Sequence, residues 1–157
     1  RILNKDDFLK IALFDIWLSN EDRNRGNYNL LLQAIEGGFL WLYVIDHSDI
    51  FNSSMAYSNR LVEITEEESL LTSDLASLLF QNDISLARKL TFLWEDFYRY
   101  TVLCNDCLPS ILAQVPKNWK INIPYYEAKI RTIFSPQWIE TCKNTFKEYI
   151  RHLIHFL

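Results

Sequence analysis

Between residues 86 and 107 the side chains Leu86, Leu90, Leu93, Phe97, Tyr100, Cys104 and Cys107 recur at alternate steps of four and three without a miss. That period marks one face of an α-helix about six turns long. A stripe of this length must be laid against another layer, so whatever else the chain does, it builds around packed helices. Asn82 or Asp83 is the expected N-cap, and Pro109 is expected to end or kink the helix, with a short continuation through Ile111 and Leu112.

The remaining sequence supplies the partner layer. Residues 5–18 carry Phe8, Leu9, Ile11, Ala12, Leu13, Phe14, Ile16, Trp17 and Leu18, apolar on nearly every side, which in so long a run argues a buried helix. Asn4 reads as its N-cap, with Asp6 and Asp7 in the first turn. Asp15 stands out there as a carboxylate among aromatics, expected to accept hydrogen bonds from nearby backbone or from the loop that follows. Thr65 and Glu68 form a capping-box pattern ahead of a short helix over 70–80, interrupted near Ser73. A further helix is predicted over 125–134. Ser135 and Pro136 then open a final one through Ile139, Cys142, Phe146, Tyr149, Leu153 and Phe156. With 157 residues, 49% of them hydrophobic and 15% aromatic, one domain with a full core is expected and disorder is excluded.

One β element interrupts the helices. Residues 28–34 pair in prospect with 39–45 across Ile35-Glu36-Gly37-Gly38, where the two glycines supply the positive φ of a tight turn. Both strand faces are apolar, which predicts a hairpin sandwiched between layers. The fold class is mainly α with a small β-hairpin, an α+β domain spanning residues 1–157.

The polar chemistry gathers around that hairpin. Residues 20–29 read Asn-Glu-Asp-Arg-Asn-Arg-Gly-Asn-Tyr-Asn, and the second strand ends in Asp46-His47. An Asp, an Asn five residues on, a hairpin and a strand ending in Asp is the order of parts in a kinase catalytic loop and its metal-binding Asp. Asp22 could take or orient the proton of an attacking hydroxyl, while Asn27 and Asp46 could hold Mg²⁺ against the phosphates of a nucleotide. Asn29 competes with Asn27 for the metal role, though the five-residue spacing favours Asn27. His47, beside Asp46, is a candidate contact to nucleotide or metal, and Arg23, Arg25 and Arg60 are cations that could serve a nucleotide. A calcium loop starting at Asn20 fails, since its sixth position is Arg25 and its twelfth Leu31. Cys104 and Cys107 lie on the helical stripe and read as small buried hydrophobes; His152 and His155 read as surface residues. No phosphate-binding glycine motif is present.

Three stretches, Phe14-Asp15-Ile16-Trp17-Leu18-Ser19-Asn20-Glu21-Asp22-Arg23, Gly26-Asn27-Tyr28-Asn29-Leu30-Leu31-Leu32 and Tyr43-Val44-Ile45-Asp46-His47-Ser48, resemble HipA-like kinases, especially the short HipA-like domains of bacterial proteins. More distantly they are similar to type II phosphatidylinositol 4-kinases. The resemblance implies a protein-kinase-like C-terminal lobe using ATP and Mg²⁺ on a protein substrate hydroxyl. In it Asp22 is catalytic, Asn27 is the loop's metal ligand and Asp46 is the counterpart of the Asp-Phe-Gly aspartate. The nucleotide-binding lobe is expected before Arg1, on a longer parent protein. Two alternatives accompany this reading: a catalytically silent kinase-fold module that binds a partner such as an antitoxin-like protein, and a lipid kinase.

Net charge and hydropathy narrow the setting. A formal charge of −4 leaves no basic surplus for direct nucleic-acid binding. No apolar run reaches the roughly 18 residues of a membrane helix, and three cysteines without a secretory signal suggest reduced thiols, so a cytoplasmic protein is expected.

Overall fold

Helix α1 (Asp7–Leu18) buries Phe8, Leu9, Ala12, Leu13, Asp15, Ile16, Trp17 and Leu18, as a helix apolar on all sides must. The computed structural model describes residues 1–51 and 61–154. After α1 come the strands β1 (Leu30–Ile35) and β2 (Phe39–Val44), then α2 (Asp74–Phe80), α3 (Leu86–Leu112), α4 (Ile123–Ile130), α5 (Pro136–Tyr149) and the single turn α6 (Arg151–Ile154). The two strands form one antiparallel sheet among the described residues. Arg60 and the rest of 52–60, with His155 and Phe156, lie outside the described residues.

Aromatic packing fastens α1 to its neighbours. The Trp17 ring meets Phe97 and Phe134 edge-on, at centroid distances of 5.8 and 5.7 Å. Its Nε1 donates to the Ile133 carbonyl at 2.8 Å, and Trp138 Nε1 donates to the Trp17 carbonyl at 2.9 Å. Each buried aromatic of this kind contributes about 2 kcal/mol through lost apolar exposure. α5 packs along α1 and buries Cys142, Thr145 and Phe146, with Ser135 capping its start by accepting from the Trp138 amide at 3.2 Å.

Helix α3 is one continuous element that passes through Pro109, where a stop or kink was predicted. Leu108 and Leu112, on either side of the proline, are both buried. Its apolar stripe also differs from the predicted one. A helix buries whichever side its neighbours cover, and the later turns of this one lie against α4 and the turn Arg131–Phe134, with Arg131 Nη1 donating to Asn105 Oδ1 at 3.0 Å. Beyond Phe97 the core side passes to Thr101, Leu108 and Leu112, which leaves Tyr100, Cys104 and Cys107 exposed. The two cysteines are free surface thiols rather than buried hydrophobes.

Neither Asn82 nor Asp83 caps α3: Ser85 precedes it without a side-chain capping bond, and Asp83 Oδ1 accepts from the Ser85 amide at 3.0 Å. The expected final helix is broken at Ile150 into α5 and α6. The other helical expectations hold with sharper boundaries. Thr65 and Glu68 form their capping box around a 3₁₀ turn, Ser73 caps α2 at the predicted interruption, and Asn122 caps α4, which passes into a 3₁₀ turn over Arg131–Phe134. Asn4 does something different from capping. Its amide donates to the Leu42 carbonyl at 2.9 Å and its Oδ1 accepts from the Leu42 amide at 2.8 Å, strapping the start of α1 to β2.

The hairpin pairs Leu30 with Val44 through Ile35 with Phe39, closed by Glu36–Gly38 with φ of 78° at Gly37 and 74° at Gly38. Among the described residues it is not sandwiched. α1 lies on the face carrying Leu42, which is 4% exposed, and residues 1–4 run along the outer edge of β2 through bonds to Leu40 and Leu42, while Leu31, Trp41 and Tyr43 on the opposite face are 52%, 38% and 46% exposed. Apolar side chains on both faces call for two covering layers, and the described residues supply one. No helix of the described residues is long and apolar enough to cross a membrane.

Candidate active site

The loop after α1 begins with a left-handed residue. Ser19 has φ 51°, which turns the chain so that the Asn20 amide donates back to the Asp15 carbonyl at 2.9 Å. Asn24 then organises the next turn through its own side chain, its Oδ1 accepting from the amides of Gly26 at 2.8 Å and Asn27 at 3.1 Å. This Asx turn brings Asn27 back to Asp22. Asn27 Nδ2 donates to both carboxylate oxygens of Asp22, at 3.1 and 3.0 Å, and Asn29 Nδ2 donates to Oδ2 at 2.8 Å. Asn29 reaches it from a left-handed backbone, φ 45°. Two amides thus clamp one half-buried carboxylate, and both asparagines turn their donors to it, which keeps each Oδ1 for another partner.

Asp46 lies two residues past the end of β2, also left-handed at φ 54°. Its Oδ1 accepts from the Ser48 hydroxyl at 2.7 Å and the Ser48 amide at 3.1 Å, which hold its carboxyl below the usual carboxylate range. The Ile45 amide donates to the Asn29 carbonyl at 3.0 Å, so the strand end is tied to the loop bearing Asp22. Left-handed non-glycine residues cost energy and cluster where a fold holds a site in shape; Asn29 and Asp46 both sit at this junction.

Beneath lies a buried ion pair. Arg23 is fully buried, and its Nη1 donates to Asp15 Oδ1, which also accepts from Asn20 Nδ2 at 2.9 Å. Arg23 Nη2 donates to the carbonyls of Ile45 at 2.8 Å and Asp46 at 2.6 Å. Burial pushes Asp15 up to about 7, against the opposing pull of the Arg23 charge and the Asn20 amide. Among the described residues Asp15 Oδ2, Ser19 Oγ and Arg23 Nε have no hydrogen-bond partner.

Asp15 therefore accepts from the following loop, as its sequence setting implied. Arg23 does not serve a nucleotide; it is interior, turned to protein acceptors on every side that bonds. Arg25 is exposed and reaches Glu67 at 3.6 Å. His47 packs edge-on against Phe14, 5.8 Å between ring centroids, beside a cavity of about 270 Å³ lined by Lys10, Ile11, Phe14 and Val44. Burial and the Arg23 charge push its imidazole below the ordinary value. His152 is exposed, as expected.

Sequence reasoning missed Arg23 and Asn20 as structural partners of the site. The usable signal was Asp15 itself, since a carboxylate in an apolar helix requires a donor, and Arg23 follows eight residues later. As for a metal, no group of three His, Cys, Asp or Glu side chains among the described residues could hold one. The set present at the loop is two carboxylates, Asp22 and Asp46, with the amide oxygens of Asn27 and Asn29. These are hard oxygen donors, the kind that suits Mg²⁺.

The whole chain agrees with what the loop suggests. Its sequence matches the pattern of the HipA-like kinase family over residues 3–149. The chain belongs to the HipA-like kinase family. No curated protein matches it, and no solved structure does. In this member of the family the matched region extends far past the motif-bearing stretch 14–48, into α5, so the helices downstream are part of the family's unit and not an appendage.

Proposed function

We propose that this HipA-like kinase domain is the C-terminal lobe of an ATP-dependent phosphotransferase acting on a protein hydroxyl, with Asp22 at the reacting oxygen. The observation that carries this reading is the clamp on Asp22. An acceptor-orienting carboxylate must be fixed in one rotamer and still be reachable, and Asn27 and Asn29 fix it from one side while it stays half-exposed.

In the reaction the acceptor oxygen bonds to the γ-phosphorus of ATP as the bond to the β,γ-bridging oxygen breaks. ADP leaves, and the acceptor's proton passes to Asp22. Asp46 and the amide oxygen of Asn27, or of Asn29, are the groups that would hold Mg²⁺, which neutralises charge on the β- and γ-phosphates when bound. His47, beside Asp46 and packed edge-on against Phe14, would contact the metal or the phosphates from the α1 side. The exposed face of the hairpin, with Leu31, Trp41 and Tyr43, is where the nucleotide and a covering lobe would lie.

The direct test is transfer of the γ-phosphate from labelled ATP to a protein substrate by the longest natural form containing this domain. Asp22→Ala and Asp46→Ala are each expected to abolish transfer; equal activity in wild type and both variants would sink the assignment. A second reading, a silent module that binds a partner such as an antitoxin-like protein, draws on the same exposed hairpin face. Calorimetric titration with Mg²⁺-ATP separates the two, since no binding at millimolar nucleotide favours the module.

A further inference from the structure

We propose that the buried Asp15–Arg23 pair is a positioning device for Asp46, joining the backbone that carries it to the backbone that carries Asp22. The proposal rests on the phosphotransfer reading above. Arg23 is the residue next to Asp22 in the chain, and its Nη2 donates to the carbonyls of Ile45 and Asp46. One side chain therefore spans the two acidic segments of the site. Without it, the described backbone bond between them is the one from the Ile45 amide to the Asn29 carbonyl.

Stability alone is a poor account of this arrangement. A buried ion pair can often be replaced by apolar residues of like volume without loss, because desolvation offsets much of the attraction. This one also leaves Asp15 Oδ2 and Arg23 Nε without partners among the described residues, a cost that an apolar filling would remove. The geometry that an apolar filling could not reproduce is the forked donation. Guanidinium is planar, with Nη1 fixed on Asp15 and Nη2 on two successive carbonyls that flank the left-handed Asp46. Asp15 and Asn20 in turn fix the guanidinium, Asn20 through its side chain at 2.9 Å and through its amide on the Asp15 carbonyl. The pair thus sets the backbone angle from which the Asp46 carboxylate leaves the strand, in the manner of the outer groups that orient metal ligands.

The test uses the full chain and the double variant Asp15→Leu/Arg23→Met, with Arg23→Lys, which keeps the charge but loses the fork, as the second. Four readouts are taken: thermal midpoint, the backbone amide resonance of Ser48, Mn²⁺ affinity by electron paramagnetic resonance, and phosphoryl transfer. The double variant is expected to keep its midpoint within about 4 °C. Its Ser48 amide is expected to shift as the Asp46–Ser48 turn loosens, and its Mn²⁺ affinity to fall about tenfold or more, with transfer falling alongside. Arg23→Lys is expected to fold and lie between. Wild-type Mn²⁺ affinity and an unmoved Ser48 amide in a folded variant would overturn the proposal, and so would loss of fold in both variants, which would assign the pair to the fold alone. Asp22→Asn and Asp46→Asn serve as controls. If wild type binds no Mn²⁺, it is the phosphotransfer reading that fails, and the positioning claim is then decided by the Ser48 amide.

Discussion

The loop of residues 19–29 carries two hydrogen-bonded networks that differ in almost every respect. On the inner side Asp15, Asn20 and Arg23 are each at or below 1% exposed, and three of the polar atoms gathered there lack partners among the described residues. On the outer side Asp22 is held by three bonds from Asn27 and Asn29, at the surface, with both Oδ1 atoms of the asparagines turned away from it. The inner network is under strain from desolvation and directed at backbone. The outer one is relaxed and made of groups that can exchange a partner for a ligand. One loop thus divides its work by depth: the buried face holds position and the exposed face is free to react.

The largest expected effect lies on the buried side. Arg23→Ala would leave the buried Asp15 carboxyl without its cation, a loss of about 3–5 kcal/mol read as a lower urea midpoint. A change below 1 kcal/mol would erase the contrast between the two networks. Asp83 offers an intermediate case. Its burial is opposed by bonds from Lys5 at 2.7 Å, Lys89 at 2.8 Å and Ser85, which together hold its carboxyl well below the usual range. Asp83→Ala is expected to cost about 2 kcal/mol at neutral pH by the same measurement. Because the folded value is depressed, that contribution is present above the ordinary carboxylate range and lost as the pH falls through it.

Asp15 behaves in the opposite sense. Its folded value, about 7, lies above the unfolded 3.8, so between those limits the folded state binds more protons than the unfolded one. Its contribution is fully present below the unfolded value and is lost as the pH rises toward 7, at a slope of at most about 1.4 kcal/mol per pH unit. Urea midpoints of wild type and Asp15→Asn between pH 4 and 8 isolate that slope, which the variant lacks. Parallel curves would contradict the burial assigned to the inner network.

Much of this division was readable in the chain, and the unreadable part has a physical reason. The apolar period of 86–107 announced α3, yet beyond Phe97 the buried face leaves Tyr100 and Cys104, because burial follows the neighbouring elements and a local pattern does not record them. Gly37 and Gly38 announced the hairpin. Its open face could not be foreseen, because Trp41 and Tyr43 record a demand for cover and not whether a layer is there to meet it. Asp22 and Asn27 were visible at their spacing, and so was Asp15 as an anomaly. What joins Asp15 to Arg23 is the left-handed turn at Ser19, and serine does not advertise that conformation. Asn29 likewise reaches Asp22 from a positive φ that only the folded chain reveals.

The smallest structural change should carry a large functional one. Asp22→Asn removes a charge at the surface and is expected to alter stability by less than about 0.5 kcal/mol. Phosphoryl transfer from ATP, measured on that variant in its full-length natural form alongside an unchanged urea midpoint, should drop by about a hundredfold or more. A folded Asp22→Asn protein that transfers phosphate at the wild-type rate would contradict the assignment of the exposed network to chemistry.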